Sequence, residues 1–216
     1  MVKHYFKIAR EPMSSFTHLI GAIGSFIALC LMLVAAISTH NSVTIVSVII
    51  FGISLIALYS ASAYYHYYPG DEKTWFRLRK LDHSMIYVLI AGSYTPIVLK
   101  FIEGIHGYIF IAVVWTIAII GIIVKMFWMN APRFVSTLFY LLLGWAVIFD
   151  WTAFRLIPAN ALLLIALGGF SYSIGAILYI IKKPNIFKSF GFHEVFHIFI
   201  MLGSLFHIIA VYMYVI

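Results

Sequence analysis

Apolar residues run through this chain in long stretches instead of alternating with polar ones. Seven stretches, at 16–37, 43–66, 83–101, 108–125, 134–151, 160–181 and 193–216, come close to the about 20 residues that a helix needs to cross a hydrocarbon core about 30 Å thick. Short breaks rich in Pro, Gly, Asn and charge separate them, such as Pro69-Gly70-Asp71-Glu72 and Asn130-Ala131-Pro132-Arg133. A spanning β-barrel would alternate apolar and polar positions with period two; these stretches are apolar on every side. The pattern predicts an all-α integral membrane protein, one seven-helix bundle over 1–216 without repeat or linker. Small residues four apart, Gly169/Ser173 and Ser171/Gly175, predict close helix packing in the sixth span. Pro96 is expected to bend or end the third helix near its far end.

Composition excludes the alternatives. Of 216 residues 64% are hydrophobic and 10% charged, against about 25% charged in a soluble domain. The only cysteine, Cys30, rules out a fold stapled by internal disulfides. Basic residues outnumber acidic ones 14 to 7, and their placement makes the excess a sign of topology rather than of a nucleic-acid partner. They fall in the N-terminus (Lys3, Lys7, Arg10) and in the second, fourth and sixth breaks (Lys73, Arg77, Arg79, Lys80; Lys125, Arg133; Lys182, Lys183, Lys188), leaving only Lys100 and Arg155 opposite. This predicts an inward N-terminus and an outward C-terminus. The first apolar run is too long for the core of a signal peptide and is expected to be an uncleaved span.

Ionisable groups inside a span are costly and mark function until a cheaper explanation is found. The second span ends in Ser62-Ala63-Tyr64-Tyr65-His66, the third opens with Leu81-Asp82-His83, and the seventh with His193-Glu194-Val195-Phe196-His197. Alternating direction puts His66, Asp82, His193 and His197 at one depth, near the inner surface. Two histidines at i and i+4 share a helix face, and a third imidazole completes the three-nitrogen set that holds Zn²⁺ with a fourth position open to water. Asp82 could exchange a proton with that water or cap the third helix. Ser62 could contact the water or substrate, or bond back to its own helix. The string His193–His197 also fits HExxH, with Glu194 as a protease base, but the better third ligand is His66, and Glu194 is expected to face the boundary.

Other polar residues have plainer expectations. His18 is close enough in depth to support the cluster from behind, whereas His207, ten residues past His197, lies about 15 Å deeper and is expected to bond between helices or line a cavity. Lys100 and Lys125 can snorkel to the headgroups. Asp150 and Arg155 form an exposed pair at the outer boundary, and Tyr64, Tyr65, Tyr67, Tyr68 and Trp75 form an interfacial belt.

The segments SAYYH at 62–66, LDHSMIYVLIAGSYTP at 81–96 and FHEVFHIFIMLGSLFH at 192–207 resemble the hemolysin III family, the bacterial branch of the progestin and adiponectin receptor superfamily. The resemblance implies a multi-pass protein of the bacterial plasma membrane in which His66, His193 and His197 bind zinc, Asp82 contacts the zinc-held water and Ser62 lines the site. It also implies a ceramidase-like hydrolase acting on lipid amides from the bilayer. A non-catalytic sensor with structural zinc, and the cytolytic pore of the family's name, are the competing readings.

Overall fold

The computed structural model describes residues 2–187 and 190–216, the side chains of 2–4 excepted; Lys188 and the side chain of Lys3, used above to orient the chain, lie outside that range. Short α1 (Val2–Ile8) leads into α2 (Pro12–Ser38), α3 (Ser42–Tyr67), α4 (Glu72–Phe101), α5 (Gly104–Phe127) and α6 (Arg133–Gly144). A 3-10 turn (Ala146–Asp150) and a single turn, α7 (Trp151–Phe154), complete the fifth span, followed by α8 (Ala159–Ile181) and α9 (Phe192–Tyr214). Seven helical segments of the described residues are long and apolar enough to span a bilayer.

The helices are built for lipid. On α2 the large residues Ile20, Ile23, Ile27, Leu31 and Val34 are exposed at three- and four-residue spacing, while the other face buries Ser14, Thr17, His18 and Ser25. Apolar surface costs nothing against acyl chains, so polar and small residues turn inward where partners exist. Helix α9 packs on both α2 and α8. On α8 the two small-residue pairs face different neighbours: the Ser171 hydroxyl donates to the Phe199 carbonyl of α9 (2.8 Å), and a Cβ on Gly175 would press on Phe199, whereas Gly169 meets Trp145.

Three expectations about the spans are corrected. Helix α4 begins at Glu72, well before the apolar stretch, because Asp71 caps it by accepting the Thr74 amide at 2.9 Å; this bond holds the exposed Asp71 carboxyl down to about 2. Asp82 therefore sits inside the helix and caps nothing. Pro96 lies inside α4, which continues to Phe101. The fifth span is broken after Gly144: the buried Tyr94 hydroxyl donates to the Gly144 carbonyl (2.7 Å) and accepts the Val147 amide (3.2 Å). A side chain set into the backbone ladder interrupts a helix in this way.

Candidate metal centre

His66 lies in the last turn of α3, and His193 and His197 lie on one face of the first turns of α9. One ring nitrogen from each falls within 4.8 Å of the others. The Nε2 atoms of His66 and His193 are 3.3 Å apart. Two nitrogens bound to one tetrahedral ion at about 2.0–2.1 Å would stand about 3.3–3.4 Å apart, so the spacing suits a shared cation.

The outer nitrogens determine which lone pairs face the centre. The Thr17 hydroxyl has one proton, directed to the Ser14 carbonyl at 2.9 Å. Its contact with His197 Nδ1 at 3.0 Å must then be an Nδ1–H donating to the hydroxyl oxygen. His66 Nδ1 is hydrogen-bonded to the Glu11 carboxylate, which can only accept when ionised. Both imidazoles are thereby fixed with unprotonated Nε2 atoms, the form that binds metal. The bond to His66 also holds the Glu11 carboxyl below its ordinary value. Backbone contacts brace this corner, with the Glu11 amide on the His66 carbonyl (2.9 Å) and the Arg10 amide on the Tyr67 carbonyl (3.2 Å).

The remaining candidates divide into those at the site and those elsewhere. His18 is buried with its ring stacked 3.5 Å from that of His197, and neither of its nitrogens has a hydrogen-bond partner among the described residues. Asp82 and Ser62 line the same cavity as His193 and His197, with Ser62 beside the Asp82 carboxylate. Ser25, Thr95 and Ser173 bond back to a carbonyl one turn earlier; Ser62 has no such bond. Asp82 Oδ2 is also 3.0 Å from His83 Nδ1. Glu194 is engaged elsewhere: one oxygen accepts the Gly191 amide at 2.8 Å and the other accepts from Ser14. It closes the start of α9 and pins it to α2, an arrangement that leaves no free oxygen for a protease base.

His207 bonds within its own helix, to Gly203 O at 2.9 Å, and reaches α8 by stacking on Tyr172. Asp150 pairs with His106 (2.5 Å) instead of Arg155. Tyr65 is buried and packs on His66 and Trp75, so it belongs to the wall of the centre and not to an interfacial belt. Glu11 and Thr17 were missed by sequence reasoning; neither spacing nor composition singles them out, since each meets its histidine only through the tertiary fold.

Beyond the histidines a cavity of about 570 Å³ extends between α4, α6, α8 and α9, passing Ile86, Ile90 and Leu162 to Trp151 and Phe154. Its walls are mostly apolar; the charged residues that line it, Arg79, Asp82, Lys125 and Arg133, come from the helix ends on the histidine side, while Ser93, Tyr94, Tyr172 and His207 line it further in. The model of a family described as haemolysin-III related matches residues 6–208. This chain belongs to the haemolysin III family. A hemolysin-3 homolog of Bacillus subtilis (strain 168) is 36% identical over 200 residues, covering 92% of this chain and 91% of the relative. Hemolysin-3 of Bacillus cereus is 34% identical over 211 residues, covering 96% and 93%. Family membership therefore spans the histidine centre and the cavity together.

Proposed function

We propose that this haemolysin III protein is a zinc-dependent hydrolase of lipid amides, its N-terminus and histidine centre at the cytoplasmic face of a bacterial plasma membrane. The observation that carries the reading is the convergence of three imidazoles, two with fixed tautomers, on the polar end of an apolar cavity that also holds a carboxylate and a hydroxyl. The donor set fits zinc: neutral imidazoles suit it, and three protein ligands leave a position open. When bound there, zinc supplies Lewis acidity and brings the pKa of its water toward about 7.

The chain's own residues provide the rest. The cavity walls hold an acyl chain and exclude bulk water, bringing an amide carbonyl to the histidine end. Asp82 accepts the proton that the attacking water loses, then returns it to the departing amine nitrogen. Ser62, free of any bond to its own helix, donates to the carbonyl oxygen or to Asp82. Glu11 and Thr17 keep the His66 and His197 rings aimed at the centre.

The test is turnover of a lipid-amide panel by the purified protein in nanodiscs, with metal content measured alongside. Asp82→Asn should abolish turnover while metal stays bound. A metal-loaded wild type inert across the panel would sink the hydrolase reading and favour zinc as a structural clip between α3 and α9, in which case Asp82→Asn changes nothing. The cytolytic reading requires conductance from purified protein in planar bilayers. The apolar outer faces of the helices oppose it, since they favour staying in the bilayer of origin.

A further inference from the structure

The cavity carries a charge imbalance that the reaction above does not use. Among its lining residues the only carboxylate is Asp82, whereas Arg79, Lys125 and Arg133 all contribute, from α4, α5 and α6. None of the three forms an ion pair with a carboxylate among the described residues. Lys125 is the most telling. A lysine near a span's end would ordinarily run its ammonium out to water, yet Lys125 is 5% exposed and its Nζ is bonded to the Ser136 hydroxyl at 2.7 Å. Arg133 lies over the Tyr179 ring, 4.9 Å from its centroid, and that ring is 5.7 Å from the ring of His193. The topological bias of basic residues explains cations in flanking water; it gives no reason to bury one without a counter-charge.

Building on the hydrolase reading, we infer that the substrate is an acyl amide whose amine side carries an anionic head group, a carboxylate or a phosphate, received by Lys125, Arg133 and Arg79. With the acyl chain in the apolar cavity and the carbonyl at the histidines, the head group falls among these cations. Guanidinium and ammonium groups in a partly dry site make charge-assisted bonds to such oxygens, and a neutral head group would leave Lys125 unmatched.

The test measures binding, so it does not depend on turnover. The full chain in uncharged phosphatidylcholine nanodiscs is titrated with N-palmitoylglycine, N-palmitoylethanolamine phosphate and neutral N-palmitoylethanolamine, and with inorganic phosphate. Both anionic amphiphiles should bind at least about tenfold tighter than the neutral one. Lys125→Gln and Arg133→Gln should each remove most of that preference, and Lys125→Arg should keep it. Arg133 is exposed at the helix start, so its variant tests the idea even where Lys125→Gln fails to fold. The preference should also persist in His193→Ala, separating this inference from the metal site. Equal binding of neutral and anionic amides, or a preference untouched in Arg133→Gln, overturns it; inorganic phosphate competing as well as the acyl phosphate overturns the lipid source.

Discussion

Thr17→Val tests how the centre is oriented. The substitution keeps size and branching and removes one hydroxyl, which in the wild type accepts from His197 Nδ1 at 3.0 Å and donates to the Ser14 carbonyl at 2.9 Å. The His197 Nδ1–H then loses this acceptor in a buried region, where an unsatisfied group costs about 1–3 kcal/mol; the Ser14 carbonyl keeps its helical bond. The loss is partly offset, because the Ser14 carbonyl already lies within hydrogen-bonding reach of the His197 ring and can accept its Nδ1–H. Losing an outer partner of a ligating histidine typically weakens metal binding by about 10–100-fold. The compensation favours the lower end, about tenfold or ~1.4 kcal/mol. Competition against a chelator of known affinity, with the purified protein in nanodiscs, reads this directly. Thr17→Ser should remain within about threefold of wild type. Unchanged affinity in Thr17→Val would refute the claim that Thr17 orients His197.

Other perturbations follow from the same geometry. Glu11→Ala should weaken metal binding by about tenfold, with Glu11→Gln less affected because its amide oxygen still accepts from His66. In chelator, the stability that Glu11 adds over Glu11→Gln should be full above its ordinary pKa of 4.5 and vanish as pH falls toward and through its depressed value, read by thermal melts across pH. Tyr94→Phe removes the hydroxyl that bridges Gly144 and Val147 and should cost about 1–3 kcal/mol, with faster amide exchange around the broken fifth span. In Gly168→Ala the new methyl would run into the His207 ring, which is held on Gly203 and Tyr172; melts should show a loss of about 1–3 kcal/mol.

The spans were legible because a bilayer imposes a length of apolar sequence that little else imitates. The start of α4 was not, since Lys73-Thr74-Trp75-Phe76-Arg77 reads as a charged loop under any apolar window. Lys and Arg are good helix formers, and a helix does not have to stop where the lipid does. The break at Gly144 depends on Tyr94, 50 residues earlier, and no local pattern announces such a contact. At the centre, i,i+4 spacing and alternating span direction sufficed to bring His66, His193 and His197 together. The inward turn of Lys125 went against expectation because snorkelling is a preference of the side chain alone, and the Ser136 hydroxyl that holds it belongs to the next helix.

X-ray absorption at the zinc edge of the zinc-loaded chain reads the coordination by His66, His193 and His197 itself. One ion per chain is expected, with three imidazole nitrogens at about 2.0–2.1 Å and one further light ligand, reduced to two imidazoles or to no bound ion in His193→Ala. A six-oxygen shell, or a spectrum unchanged in His193→Ala, would contradict it.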